Sequence, residues 1–174
     1  HESVPEDFIM HTLEVMESRP DVIWQVLTKR AARMRDIVRM GAPGGILREN
    51  IWLGVTAENQ RCADERIPML LDTPAAVRFV SCEPMLERID LSPFLFVDLD
   101  TTDPETPTLD WVVCGSESGP HRRPFFREWA EQLWRQCNSA GVPYFGKQDS
   151  GLRPGTPLLI YGLGVVHEWP MERG

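Results

Sequence analysis

At 174 residues, with 26 acidic against 18 basic side chains and a net charge of −8, the chain is long enough for one domain with a sizeable core and has the wrong charge balance for nonspecific binding to a phosphate backbone. It falls short of the ~250 residues of a closed (β/α) barrel. Cys62, Cys82, Cys114 and Cys137 stand far apart, without CxxC or Cys/His ligand spacing, so no metal site is visible and free thiols in a reducing cytoplasm are expected.

Pro5, Glu6 and Asp7 after Ser3 open the first predicted helix, with Ser3 as its cap and Phe8, Ile9, Leu13 and Met16 as its apolar face. A strand follows over residues 22–27, ending at Thr28-Lys29-Arg30, then a basic amphipathic helix over 31–40 that GAPGG terminates. The second strand, 51–55, runs into Thr56-Ala57-Glu58-Asn59; Asn59 is placed to cap a helix that Pro68 bends or restarts. A third strand over 77–82 stops at Glu83-Pro84, and residues 95–109, acidic and rich in Thr and Pro, read as a surface loop. The fourth strand, 111–115, leads into Ser116-Glu117-Ser118 and a helix near 126–139; after Gly141 the fifth strand, 142–146, ends at Lys147-Gln148. The apolar tail LLIYGLGVVHEWP is expected to pack back on the body.

Apolar runs of this length, rich in Val, Ile, Trp and Phe, suit strands covered on both faces, and strand–helix alternation points to an α/β sheet or barrel with its chemistry at the carboxyl ends of the strands. All five polar clusters fall there. Glu58, Glu83 and Glu117 would share one rim with Lys29 and Lys147, where convergent charges perturb one another and serve as acid, base or ligand anchor. The competing reading is that each carboxylate caps a helix or pairs with a nearby Arg. Gly115-Ser116-Glu117-Ser118-Gly119 either leaves backbone N–H groups free for an anion, with Arg122 and Arg123 close behind, or is an ordinary tight turn. Glu117 is expected near Glu83 or Lys147. Cys82, inside an apolar run, reads as a structural thiol.

The strings QVLTKR, IWLGVTAENQRCADERIPMLL, TPAAVRFVSCEPML, LDWVVCGSESGP and GVPYFGKQ resemble, in order and spacing, an uncharacterised family encoded by phages and bacteria. Its full-length members carry an amino-terminal three-cysteine motif and look like radical S-adenosylmethionine proteins. The resemblance spans roughly residues 1–148. It implies a partial (β/α) barrel of about five parallel strands, the carboxyl-terminal portion of a radical-SAM-like fold, in which S-adenosylmethionine and a [4Fe-4S] cluster serve the full-length protein and this chain supplies no cluster ligands. The similarity of GSES to the family's GGES string proposes Gly115, Glu117 and Ser118 for the cofactor or substrate rim. Ser116 stands where a second Gly is usual, and Asp149 where an aromatic commonly follows the Lys-Gln pair. A chain that begins with His and lacks the early strands is expected to be part of a longer protein, and its first strand, left at an open edge, is expected to be covered by a second copy, a protein partner or the chain's own tail. The rival reading is a non-enzymatic phage-encoded interaction module on the same scaffold. No membrane span or signal peptide is visible.

Overall fold

The computed structural model describes residues 1–41, 47–96 and 107–170. Five strands, β1 (Trp24–Thr28), β2 (Ile51–Thr56), β3 (Val77–Cys82), β4 (Trp111–Gly115) and β5 (Tyr144–Gln148), form one sheet in chain order, and every pairing is parallel. They alternate with α1 (Glu6–Glu17), α2 (Ala31–Gly41), α3 (Gln60–Leu71), the single turn α4 (Ser92–Leu95) and α5 (Arg127–Ala140). The protein is therefore an α/β fold with an open parallel sheet.

Local chemistry explains most boundaries. The Asn59 side chain accepts a hydrogen bond from the Cys62 N–H at 2.9 Å and starts α3, which runs through Pro68 without restarting. Gly141, at φ 66°, supplies the left-handed residue that ends α5. Pro5, not Ser3, occupies the cap of α1, with no side-chain bond to its first turn. The first strand begins and ends later than its apolar run suggests, because register against β2 and not hydropathy decides where the ladder starts. β5 likewise occupies 144–148, not 142–146. Gly41, the first residue of GAPGG, still belongs to α2; the rest of that stop and most of the 95–109 loop lie outside the described residues.

Side chains alternate between the two sheet faces, and the faces differ in kind. Leu53, Val55, Val80, Cys82, Val112 and Cys114 point to the side covered by helices, where they meet α3 residues such as Ile67 and Leu70 and α5 residues such as Leu133. The other side holds Trp52, Phe79, Trp111 and Val113, packed with Val77 and Phe145, and no residue of a helix belongs to that cluster. Chain-order strands with helices on one side follow from right-handed crossovers that all turn the same way. One face of the sheet is therefore left without a helix among the described residues.

The tail does not cover β1. A hairpin of β6 (Leu159–Ile160) and β7 (Gly164–Val165) leads to residues 166–169, which run antiparallel along the outer edge of β5. The Gly146 N–H donates to Val166 O at 2.8 Å and the Glu168 N–H to Tyr144 O at 3.0 Å. This segment closes the β5 side of the sheet. β1 has one strand neighbour, β2, among the described residues, and Leu27 on it is 48% exposed.

Candidate functional site

Loops at the carboxyl ends of the strands are tied to one another through the main chain. The Leu86 N–H donates to Glu58 O and the Met85 N–H to Gly115 O, each at 2.9 Å, and the Ser116 N–H donates to Gln148 O at 3.1 Å. Residues after β2, β3, β4 and β5 thus form one rim. Three ion-paired stations stand on it.

At the β1–β2 end, Glu58 accepts from Lys29 through one oxygen and from the Arg66 guanidinium through the other at 2.7 Å. Arg66 also donates to Thr56 O at 2.6 Å, which fixes the pair to the end of β2. Burial alone would raise the Glu58 carboxyl, but Lys29, its own backbone and Arg66 outweigh it and bring it from 4.5 down to about 2. A pKa lowered by folding gives stability that is complete above the unfolded value and is lost as pH falls through the folded one. Solvent around the half-exposed Lys29 keeps this contribution to about 1–2 kcal/mol. Urea unfolding between pH 6 and 2.5 is expected to show the wild type losing about that much more stability than Glu58→Gln, in the window from about 4.5 to about 2. Equal losses in the two proteins would contradict it.

After β4, Glu117 is clamped by Arg123: Nε donates to Oε2 at 3.0 Å, Nη2 to Oε1 at 2.5 Å, and the Arg123 backbone N–H to Oε2 at 2.9 Å. The side-chain bond from Arg123 is the main cause of a carboxyl lowered to about 2. Glu58 also contributes to the raised pKa of Arg123, so this station adjoins the first. The partner that holds Glu117 is Arg123, six residues away in the chain. Two of the loop's N–H groups are taken, that of Ser116 by Gln148 O and that of Gly119 by Gly151 O at 3.0 Å, and α5 starts only at Arg127. Ser118 forms an isolated bridge with Gly151. Asp149 is buried and accepts from Arg127 Nε at 2.5 Å and from the Ser150 N–H at 2.6 Å, so it locks this loop to the segment after β5.

The third station opens onto the helix-free face. Glu83 Oε2 accepts from Ser81 Oγ at 3.1 Å and from Lys147 Nζ at 3.3 Å. Phe79, Ser81 and Glu83 share one face of β3 by alternation, as Trp111, Val113 and Gly115 do on β4 and Phe145 and Lys147 on β5. Two backbone devices set the charges. The β4–β5 register shifts between Cys114 and Gly115, so that Gly115 pairs with Gln148 and Lys147 sits in the bulge. A Cβ on Gly115 would lie 2.5 Å from Glu83 Oε1, so only glycine leaves room for that carboxylate. Gly54 does the same for the Phe79 ring, whose nearest atom would be 2.4 Å from an added Cβ.

These residues border a cleft of roughly 420 Å³, with Phe79, Trp111, Phe145 and Trp169 as aromatic walls and Glu83 and Lys147 as its charged groups. The Glu83 side chain is 18% exposed and that of Lys147 58%. Trp111 joins the sheet to the tail: its ring centroid lies 5.0 Å from that of Trp169, and Nε1 donates to Glu168 O at 2.8 Å. Of the residues expected at a site, Glu83 and Lys147 meet in this cleft and Gly115 shapes it, whereas Lys29, Glu58, Glu117 and Ser118 lie on the adjoining rim. A smaller hollow of about 230 Å³ between α1, α2 and β1 has no acidic residue in its lining.

None of the four cysteines is in a disulfide, and all are buried. Desolvation pushes the Cys114 thiol up to about 12 and raises that of Cys82, which suits packing and not nucleophilic attack. Among the described residues no helix is long and apolar enough to cross a membrane.

A family profile for a protein of unknown function, DUF5131, matches residues 1–156. The chain belongs to that family. The match takes in all five strands of the sheet and every rim residue named above, so the three stations lie within the family's domain. No curated protein and no solved structure matches the chain.

Proposed function

We propose that this chain is the carboxyl-terminal part of a radical-SAM-like barrel enzyme, phage-type in origin, whose strand-end rim binds S-adenosylmethionine and/or a small substrate. The observation that supports this reading is the one-sided sheet. A barrel binds its ligand at the carboxyl ends of its strands, where the inward face opens, and the cleft there carries Glu83 and Lys147 at the carboxyl ends of β3 and β5.

The residues present do not fit an iron–sulfur cluster. Cys82, Cys114 and Cys137 belong to the helix-side core, away from the cleft, and no group of three His, Cys, Asp or Glu suited to a metal occurs among the described residues. No step of this reading passes through a cluster. The cleft does fit a flat ring with a charged end: aromatic walls, an ammonium at the mouth and a carboxylate whose place Gly115 keeps open. Bound there, S-adenosylmethionine would supply an activated sulfonium. Lys147 would meet its carboxylate and Glu83 its ammonium, while Phe79 and Trp111 would exclude water from the ring. Glu58 and Glu117, already neutralised by Lys29, Arg66 and Arg123, would hold the rim loops in place for a substrate.

Calorimetric titration with S-adenosylmethionine tests the reading. Saturable binding that Lys147→Met and Glu83→Gln each weaken at least tenfold is expected; absence of binding, or binding indifferent to both substitutions, would contradict it. A non-enzymatic interaction module is the second reading, and the outer edge of β1, which has no second strand neighbour among the described residues, favours it. A stable dimer or a protein complex, with no binding of S-adenosylmethionine, would support that alternative.

A further inference from the structure

We propose that the cleft on the helix-free face selects an aromatic α-amino acid, bound as the zwitterion in the place that the amino-acid end of S-adenosylmethionine would otherwise take. The proposal rests on the reading of the rim as a small-molecule site and names its ligand class.

The argument starts from the charges. Glu83 and Lys147 are the carboxylate and the ammonium of the cleft, and they face each other at 3.3 Å. Lys147 is more than half exposed, so a ligand can reach the pair and take the place of either member. A ligand with a single charge would satisfy one member and repel the other. A ligand carrying both signs on one carbon satisfies both: its ammonium replaces Lys147 at Glu83 and its carboxylate replaces Glu83 at Lys147. Ser81 Oγ, 3.1 Å from Glu83 Oε2, keeps the carboxylate oriented during the exchange.

The walls then specify what hangs from that carbon. Phe79, Trp111, Phe145 and Trp169 line the same cleft, and the Trp169 ring centroid lies 5.0 Å from that of Trp111 and 5.1 Å from that of Phe145. Rings this close are packed on one another, so a ligand ring would add to the layer from the cleft side, against Trp169, which is 37% exposed. An aliphatic side chain would fill less of the roughly 420 Å³ and gain none of the ring–ring contribution. Gln25, exposed on the same face at the first strand, adds an amide able to bond a ring N–H or hydroxyl.

L-Tryptophan and L-phenylalanine are the probes, titrated calorimetrically into the intact chain beside tryptamine, indole-3-propionate and glycine, which lack the carboxylate, the ammonium and the ring in turn. L-Tryptophan is expected to bind at least tenfold tighter than each of the three. Lys147→Met is expected to bring L-tryptophan and tryptamine to equal affinity, and Glu83→Gln to do the same for L-tryptophan and indole-3-propionate, with circular dichroism showing both variants folded. Equal binding of L-tryptophan and a single-charge analogue by the wild type, or no binding of L-tryptophan, would overturn the proposal. In either case the S-adenosylmethionine titration decides the rim reading separately, since that reading stands if the cofactor binds and depends on Glu83 and Lys147.

Discussion

Replacing Trp111 with alanine is expected to lower the free energy of unfolding by about 3–5 kcal/mol, the largest effect of any single substitution on the helix-free face. The side chain is 2% exposed and stands at the centre of the aromatic layer, with ring centroids of Trp52, Phe79 and Phe145 at 6.0, 5.6 and 5.9 Å. Alanine removes the ring, leaves a cavity among aromatics that cannot collapse onto it, and strips Glu168 O of its hydrogen-bond donor. Trp111→Phe keeps most of the ring volume and loses that bond, so its cost should fall to about 1–2 kcal/mol. Because Trp111 joins β4 to the tail, amide exchange at residues 166–169 should quicken in both variants. Denaturant unfolding that places Trp111→Ala within about 1 kcal/mol of wild type would show that the helix-free face is not a packed layer.

Gly115→Ala should separate stability from binding. The new Cβ meets the far end of a flexible side chain, Glu83 Oε1, and not backbone. The carboxylate can swing away at a fold cost of about 1 kcal/mol. Gly115 is also not among the glycines with positive φ, so alanine fits the backbone. What the swing does remove is the carboxylate's position against Ser81 and Lys147, and affinity for L-tryptophan should fall at least tenfold. Stability and affinity both unchanged would mean that Glu83 is not held where the cleft requires it. Loss of affinity paralleled by gross unfolding would assign Gly115 to the fold alone.

Hydropathy made the five strands and their common direction legible, because a strand covered on both faces must be apolar along its whole length, as β2 and β4 are. The same property hid the site. When every residue of a strand is apolar, alternation no longer shows which face lacks helices, so Trp111, Phe79 and Phe145 read as ordinary core. Strand parity carried the missing signal: Phe79-Ser81-Glu83 and Phe145-Lys147 each step by two from an aromatic to a charge, and that step places the charge on the aromatic face. Lys147 lay beyond the fifth strand as drawn from its apolar run; in the fold it is inside β5, at a bulge that composition does not reveal. The capture of Glu117 by Arg123 was within reach of the sequence, since the competing reading for each carboxylate was a neighbouring Arg. The course of the tail along β5, and not β1, depends on backbone pairing that no residue pattern in LLIYGLGVVHEWP specifies.

The six tryptophans divide between the two faces in a way that tests the central claim directly. Trp52, Trp111 and Trp169 belong to the helix-free side, whereas Trp24, Trp129 and Trp134 pack against the helix-side core. Indole ¹H–¹⁵N resonances of the ¹⁵N-labelled chain, assigned by single Trp→Phe substitutions, should be followed during titration with unlabelled L-phenylalanine. The account predicts saturable shifts at Trp111 and Trp169, with Trp24, Trp129 and Trp134 unmoved. Shifts confined to the latter three, or none at any indole under saturating probe, would contradict the placement of the ligand site on the helix-free face.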